Sequence, residues 1–150
     1  MREILFRAKT IENNQWVEGY FVYVPCSRFL SKEWLIQTIK EDGRIGQLHT
    51  VYERTVGQFT GLRDMTGLLV FEGDILKIAK RSDSRGGYYH PPIDYPVNVV
   101  VKWDHCGWMW ETLCEDKRYI GFPEAWGHYL CEVIGNIHDN PELLGGTDHE

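Results

Sequence analysis

Between Val97 and Trp103 every second residue is large and apolar: Val97, Val99, Val101 and Trp103 alternate with Asn98, Val100 and Lys102. A helix would scatter four such side chains around its axis, whereas an extended strand sets all of them on one face. The same period of two recurs in Ile4, Phe6 and Ala8, and apolar segments of strand length run over Trp16–Val24, Ile75–Ala79, Trp108–Cys114 and Tyr129–Ile137. The expected fold class is therefore mainly β. Asn13-Asn14 tolerates positive φ and predicts a hairpin between the first two strands, with Gly19 marking a bulge in the second. Ser27 to Lys40 fits either pattern, since Leu30, Trp34, Leu35 and Thr38 share a helical face while Trp34, Ile36 and Thr38 alternate. The Asp42-Gly43 turn that follows, with Ile45–Tyr52 as a return strand, favours β for Trp34–Ile39 and leaves a short helical turn open at Ser31–Glu33.

Further along, Gly57, Gly61, Gly67 and Gly73 punctuate short apolar runs and predict frequent changes of direction. Asp64-Met65-Thr66-Gly67 has the Asp and Gly positions of a type I turn. Arg81–Pro96 carries charges, Gly86-Gly87, Pro91-Pro92 and Pro96, which makes it a long loop, and the chain from Pro141 reads as a frayed tail. At 150 residues the chain is expected to form one globular unit, divisible into β hairpins over 1–56, a barrel over 57–140 and a tail over 141–150.

With 16 basic and 22 acidic residues the net charge of −6 repels a phosphate backbone at long range. The cluster Lys77, Lys80, Arg81 and Arg85 is the one exception that a nucleic-acid-binding barrel would use. No signal-peptide pattern and no apolar run near membrane-spanning length is present, so a cytoplasmic protein is expected. The irregularly spaced Cys26, Cys106, Cys114 and Cys131 then read as free thiols.

The segments Arg2, Ile4, Phe6, Arg7 and Ala8, then Thr55–Leu62, then Phe71-Glu72-Gly73-Asp74-Ile75 together resemble the YopX-like family. So does the ending Val133–His138 with Asn140-Pro141-Glu142-Leu143-Leu144. The resemblance spans nearly the whole chain in order; this sequence departs from the pattern at Leu68-Leu69-Val70, where the family usually has Lys-Glu-Ile or similar. It implies a phage or prophage origin in Gram-positive bacteria, an SH3-like small β barrel in the C-terminal part, and a homo-oligomer built from trimers. The family has no established activity, so none is implied here.

Chemistry leaves few marks. Asp104, His105, Cys106 and Cys114 hold ligand atoms without Cys-x-x-Cys or His-Glu-x-x-His spacing, and no metal or cofactor is expected. No nucleophile elbow or P-loop occurs. Glu72 and Asp74, flanking Gly73, would serve a small hydrolase as acid and base if buried together, or else they set a turn. The candidate binding residues are aromatic: Tyr88, Tyr89 and His90 on the long loop, with Trp108 and Trp110 on one face of a strand, against the alternative that the tryptophans fill the core. The reading that follows is a noncatalytic, homo-oligomeric module that binds a host or phage protein.

Overall fold

The computed structural model describes residues 3–25, 31–80, 96–105, 107–112, 119–121 and 129–144. They are mainly β, and the chain divides into two compact units, Met1–Gly61 and Leu62–Glu150.

The first unit contains β1 (Phe6–Lys9), β2 (Trp16–Val24), β3 (Glu33–Ile39), β4 (Ile45–Thr50) and β5 (Gly57–Arg63), whose last two residues already belong to the second unit. They lie in the order β4-β3-β2-β1-β5, with β6 (Leu69–Phe71) next to β5. Asn14 (φ 58°) and Gly43 (φ 79°) supply the left-handed residues of the first two hairpins. Cross-strand pairs Phe6 with Gly19, Ala8 with Val17, and Phe21 with Ile36 set these side chains on one face. There Ala8, Ile36 and Val51 are buried among Phe6, Val17, Phe21, Trp34 and Val56. Phe21 lies between two rings, 5.3 Å from Phe6 and 5.4 Å from Trp34, centroid to centroid.

Two glycines fix the spacing of this sheet. Gly19 sits in regular register with Phe6 and Thr38, so it marks no bulge. Its role is close approach: a Cβ there would overlap the Gln37 carbonyl. The irregularity falls instead between β3 and β4, where register steps from Gln37–Leu48 to Ile39–Ile45 and two β4 residues oppose Thr38. The Thr38 hydroxyl donates to the Gln47 carbonyl (3.0 Å) and accepts from its N–H (2.8 Å), occupying the space a Cβ on Gly46 would need.

The second unit holds β7 (Asp74–Lys80), β8 (Val97–Asp104), β9 (Gly107–Thr112), β10 (Tyr119–Gly121) and β11 (Tyr129–Asn136), ordered β10-β9-β8-β7-β11 and all antiparallel. As described, this sheet is open: β10 and β11 are its two edges, so the closed barrel expected from sequence is not observed among these residues. Its core is Val70, Leu76, Ile78, Val99, Val101, Trp108, Trp110, Tyr129 and Cys131. Each large side chain buried there contributes about 1.5–3 kcal/mol. Val97, Val99 and Val101 pack as their alternation requires, while Trp103 remains at the margin, 48% exposed and edge-on to Trp108 at 5.0 Å.

Asp64 organises the turn into β6. Its Oδ1 accepts from the Thr66 N–H (2.8 Å), the Thr66 hydroxyl (2.7 Å) and the Leu68 N–H (3.0 Å), and its Oδ2 accepts from the Val133 N–H on β11 (3.0 Å). Burial raises the carboxyl pKa, but these donated hydrogen bonds outweigh it, led by that of Val133, and hold the group below its ordinary value.

Several expectations need correction. Gly57 and Gly61 end no strand, because both lie inside β5, where Gly57 pairs with Arg7, although Gly61 does take the left-handed φ of 89° that glycine permits. Ser31 and Lys32 form no helical turn and lead directly into β3. The tail begins with a 3-10 turn, Pro141–Leu144, and Asn98 Nδ2 donates to the Leu143 carbonyl (3.5 Å). The short strands β6 and β10 escaped the sequence reading because three residues carry too little periodicity to register.

Two consequences are measurable by denaturant unfolding. Asp64→Asn sets an amide NH2 against at least one backbone N–H in either orientation, and is expected to cost about 2–4 kcal/mol. Because the folded carboxyl titrates below its ordinary 3.8, its contribution is complete above that pH and declines as pH falls further toward the folded value. The variant should lack this part of the acid dependence; equal stability at neutral pH would contradict the bonding described. Gly19→Ala is expected to cost about 3 kcal/mol or more through overlap with β3, and a loss under 1 kcal/mol would contradict the close approach.

Candidate functional site

Of the aromatic residues singled out by sequence, Tyr88, Tyr89 and His90 lie outside the described residues. Trp108 and Trp110 do share one face of β9, as i and i+2 residues must. That face is the core face: Trp108 is 6% exposed and Trp110 fully buried, its ring edge-on to Tyr129 at 5.7 Å. The two indoles thus take the core-filling alternative. The buried Trp108 Nε1 has no hydrogen-bond acceptor among the described residues.

The buried acids of the second unit, among the described residues, are committed to the fold. Asp74 is fully buried, and its Oδ2 accepts the Phe71 N–H at 2.7 Å, closing the turn in which Gly73 adopts φ 83°. Glu72 at the turn is half-buried. The arrangement is that of a turn-setting Asp. Glu111, also buried, is paired with Lys102. Lys77, from the basic cluster, lies on β7 opposite Glu132 of β11, while Arg81 and Arg85 fall outside the described residues.

Cys131 is buried in the core, and burial first, then the Asp64 carboxylate, pushes its thiol up to about 12, so it carries a proton at neutral pH. Cys26, Cys106 and Cys114 lie outside the described residues. His105, at φ 48°, is exposed beside the Asp104 carboxylate. Among the described residues no three His, Cys, Asp or Glu side chains are grouped to hold a metal ion. No described helix is long and apolar enough to cross a membrane.

The feature that sequence reasoning missed is on the first unit. The face of β2, β3 and β4 opposite its core carries Tyr20, Val22, Ile39, Ile45 and Leu48, all exposed, with Ile45 at 76%. Register places them together: Tyr20 pairs with Gln37, Gln37 with Leu48, Val22 with Leu35, and Ile39 with Ile45. Plain alternation would put Ile45 and Leu48 on opposite faces, three residues apart. The bulge at Gly46-Gln47 reverses the parity and brings them to the same one. On β1 and β2, the same face continues into a polar rim, where Arg7 and Lys9 lie over the Trp16 ring at 4.9 and 5.5 Å. One signal was available: apart from Glu18 and Gly19, every residue of Trp16–Val24 is apolar, as in a strand that covers both faces. Contiguous apolar surface with a polar rim is the usual mark of a protein-binding face.

No curated protein matches the sequence. Among solved structures, the crystal structure of protein EF1440 from Enterococcus faecalis is similar at 24% identity and a TM-score of 0.52, over 97% of this chain and 100% of that one. At that identity the likeness speaks for the fold. The model of the YopX protein family matches residues 5–145, nearly the whole length, and the chain belongs to that family.

Proposed function

We propose that this protein is a noncatalytic protein-interaction module that works as a homo-oligomer. The observation that carries the reading is the exposed apolar face formed by Tyr20, Val22, Ile39, Ile45 and Leu48. Such a surface is costly to leave in water, and it is stabilised by covering it with protein. The buried acids Asp64, Asp74 and Glu111 support the same reading, since each is bonded to a backbone N–H or a lysine and serves the fold.

In this reading the second unit is an SH3-like small barrel. Its antiparallel strands in the order β10-β9-β8-β7-β11, and the bulge between Val133 and Gly135 that bends β11, are consistent with that curvature. The reading carries with it a phage or prophage origin and assembly from trimers, as the family resemblance implies, and a host or phage protein as the eventual partner.

Size-exclusion chromatography with light scattering on the full chain tests the reading. At micromolar concentration the expected mass is a multiple of the 17.6 kDa chain. A strict monomer at that concentration would contradict it.

A further inference from the structure

The first sheet is guarded at its β4 edge and open on its outer face. The Ile11 N–H donates to the Thr50 carbonyl (3.0 Å) and Thr10 bridges Val51, so the end of β4 already has a backbone neighbour. The bulge at Gly46-Gln47 distorts the rest of that strand, as protected edges do. A further strand is therefore not what this sheet accepts. What stays uncovered is the outward face of β2, β3 and β4, where Tyr20, Val22, Ile39, Ile45 and Leu48 are between 39% and 76% exposed.

We propose that this face stacks on the same face of a second copy across a two-fold axis, the two sheets layered about 10 Å apart as in a β-sandwich. The proposal rests on the homo-oligomeric reading and assigns it an interface. A two-fold contact joins two trimers as well as two single chains.

Area is the first support. The five exposed apolar side chains present on the order of 400 Å² per copy, and apolar surface makes up about two-thirds of a homodimer interface. Stacking covers that surface on both copies, for a total of about 1,200 Å², which a specific interface requires.

Charge is the second. Residues 1–61 carry eight basic and seven acidic side chains, whereas residues 62–150 carry eight and fifteen, so the first unit is nearly neutral and the second holds the acidic surplus. Two copies that meet through their first units bring little like charge together, while contact through the second units would set one acidic surplus against another. On the face itself, Glu18 stands opposite Arg7 in register, so this acid has a cation beside it on its own chain.

The third support is the polar group at the centre of the patch. Gln37 lies between Tyr20 and Leu48, and its Nε2 donates to the Gly46 carbonyl (3.1 Å) and the Thr38 carbonyl (3.4 Å). Both amide protons are thus used within the chain, and covering the face strands no donor there.

The test compares wild type, the double variant Ile45→Lys/Leu48→Lys, and the control Met65→Lys/Leu68→Lys, whose replaced residues are exposed in the second unit. Light scattering over a concentration series gives the mass, and near-ultraviolet circular dichroism confirms that each variant is folded. The expected result is an associating wild type, an unchanged control, and a face variant that falls to half the wild-type mass with a dissociation constant raised about tenfold or more. Added salt screens the net charge of each copy and is expected to tighten the wild-type association; an affinity that falls with salt overturns the apolar stack. A folded face variant that associates like wild type overturns the interface and leaves the oligomeric reading standing. A fall to one third of the mass makes the face a three-fold contact and overturns the two-fold stack. Dissociation of the control moves the interface to the second unit and also overturns it. A monomeric wild type overturns both readings, leaving the face to a different protein. If the face variant fails to fold, Leu48→Gln, which removes apolar surface without adding charge, replaces it under the same criteria.

Discussion

Cross-strand register over β2, β3 and β4 decides which side chains of the first unit meet water, and that register depends on two close approaches. Gly19 lets the Gln37 carbonyl come so near β2 that no side chain fits, and Gly46 leaves room for the Thr38 hydroxyl to bind both backbone groups of Gln47. With β3 held on both sides, Phe21 and Ile36 face the core together, and Tyr20, Gln37 and Leu48 face the other way together. A one-residue slip would exchange the two sets. The apolar outer face is therefore a product of the same hydrogen bonds that build the core.

The second unit is stabilised differently. Its core uses larger rings: Trp110 lies edge-on to Tyr129 at 5.7 Å, and Trp108 edge-on to the marginal Trp103 at 5.0 Å. Its turns depend on buried carboxylates that accept backbone N–H groups, Asp64 from Thr66, Leu68 and Val133, Asp74 from Phe71. Asp64 remains ionised despite burial, because its donors replace water. Charge near the core thus has a structural cause.

The strands from Val97 to Trp103 and from Trp34 to Ile39 were legible because alternation, or a strong Asp-Gly turn beside them, fixes an extended chain. Gly19 was legible as a special position but not as the right kind, since a bulge and a close approach both call for glycine and differ only in what lies across the sheet. Trp108 and Trp110 were correctly set on one face, yet one strand alone does not reveal which face is the inner one; that depends on Leu76, Ile78 and Val99 from other strands. The outer face of the first unit escaped notice for the same reason. Ile45 and Leu48 share it only through a bulge defined by its partner strand, a relation between segments that no local period records.

Cross-strand nuclear Overhauser contacts between β3 and β4 test most directly whether the bulge at Gly46-Gln47 sets the register that sorts inner from outer side chains. The register described requires backbone contacts of Gln37 with Leu48 and of Ile39 with Ile45. Contacts of Ile39 with Gly46, its partner in an unbulged ladder, would contradict it.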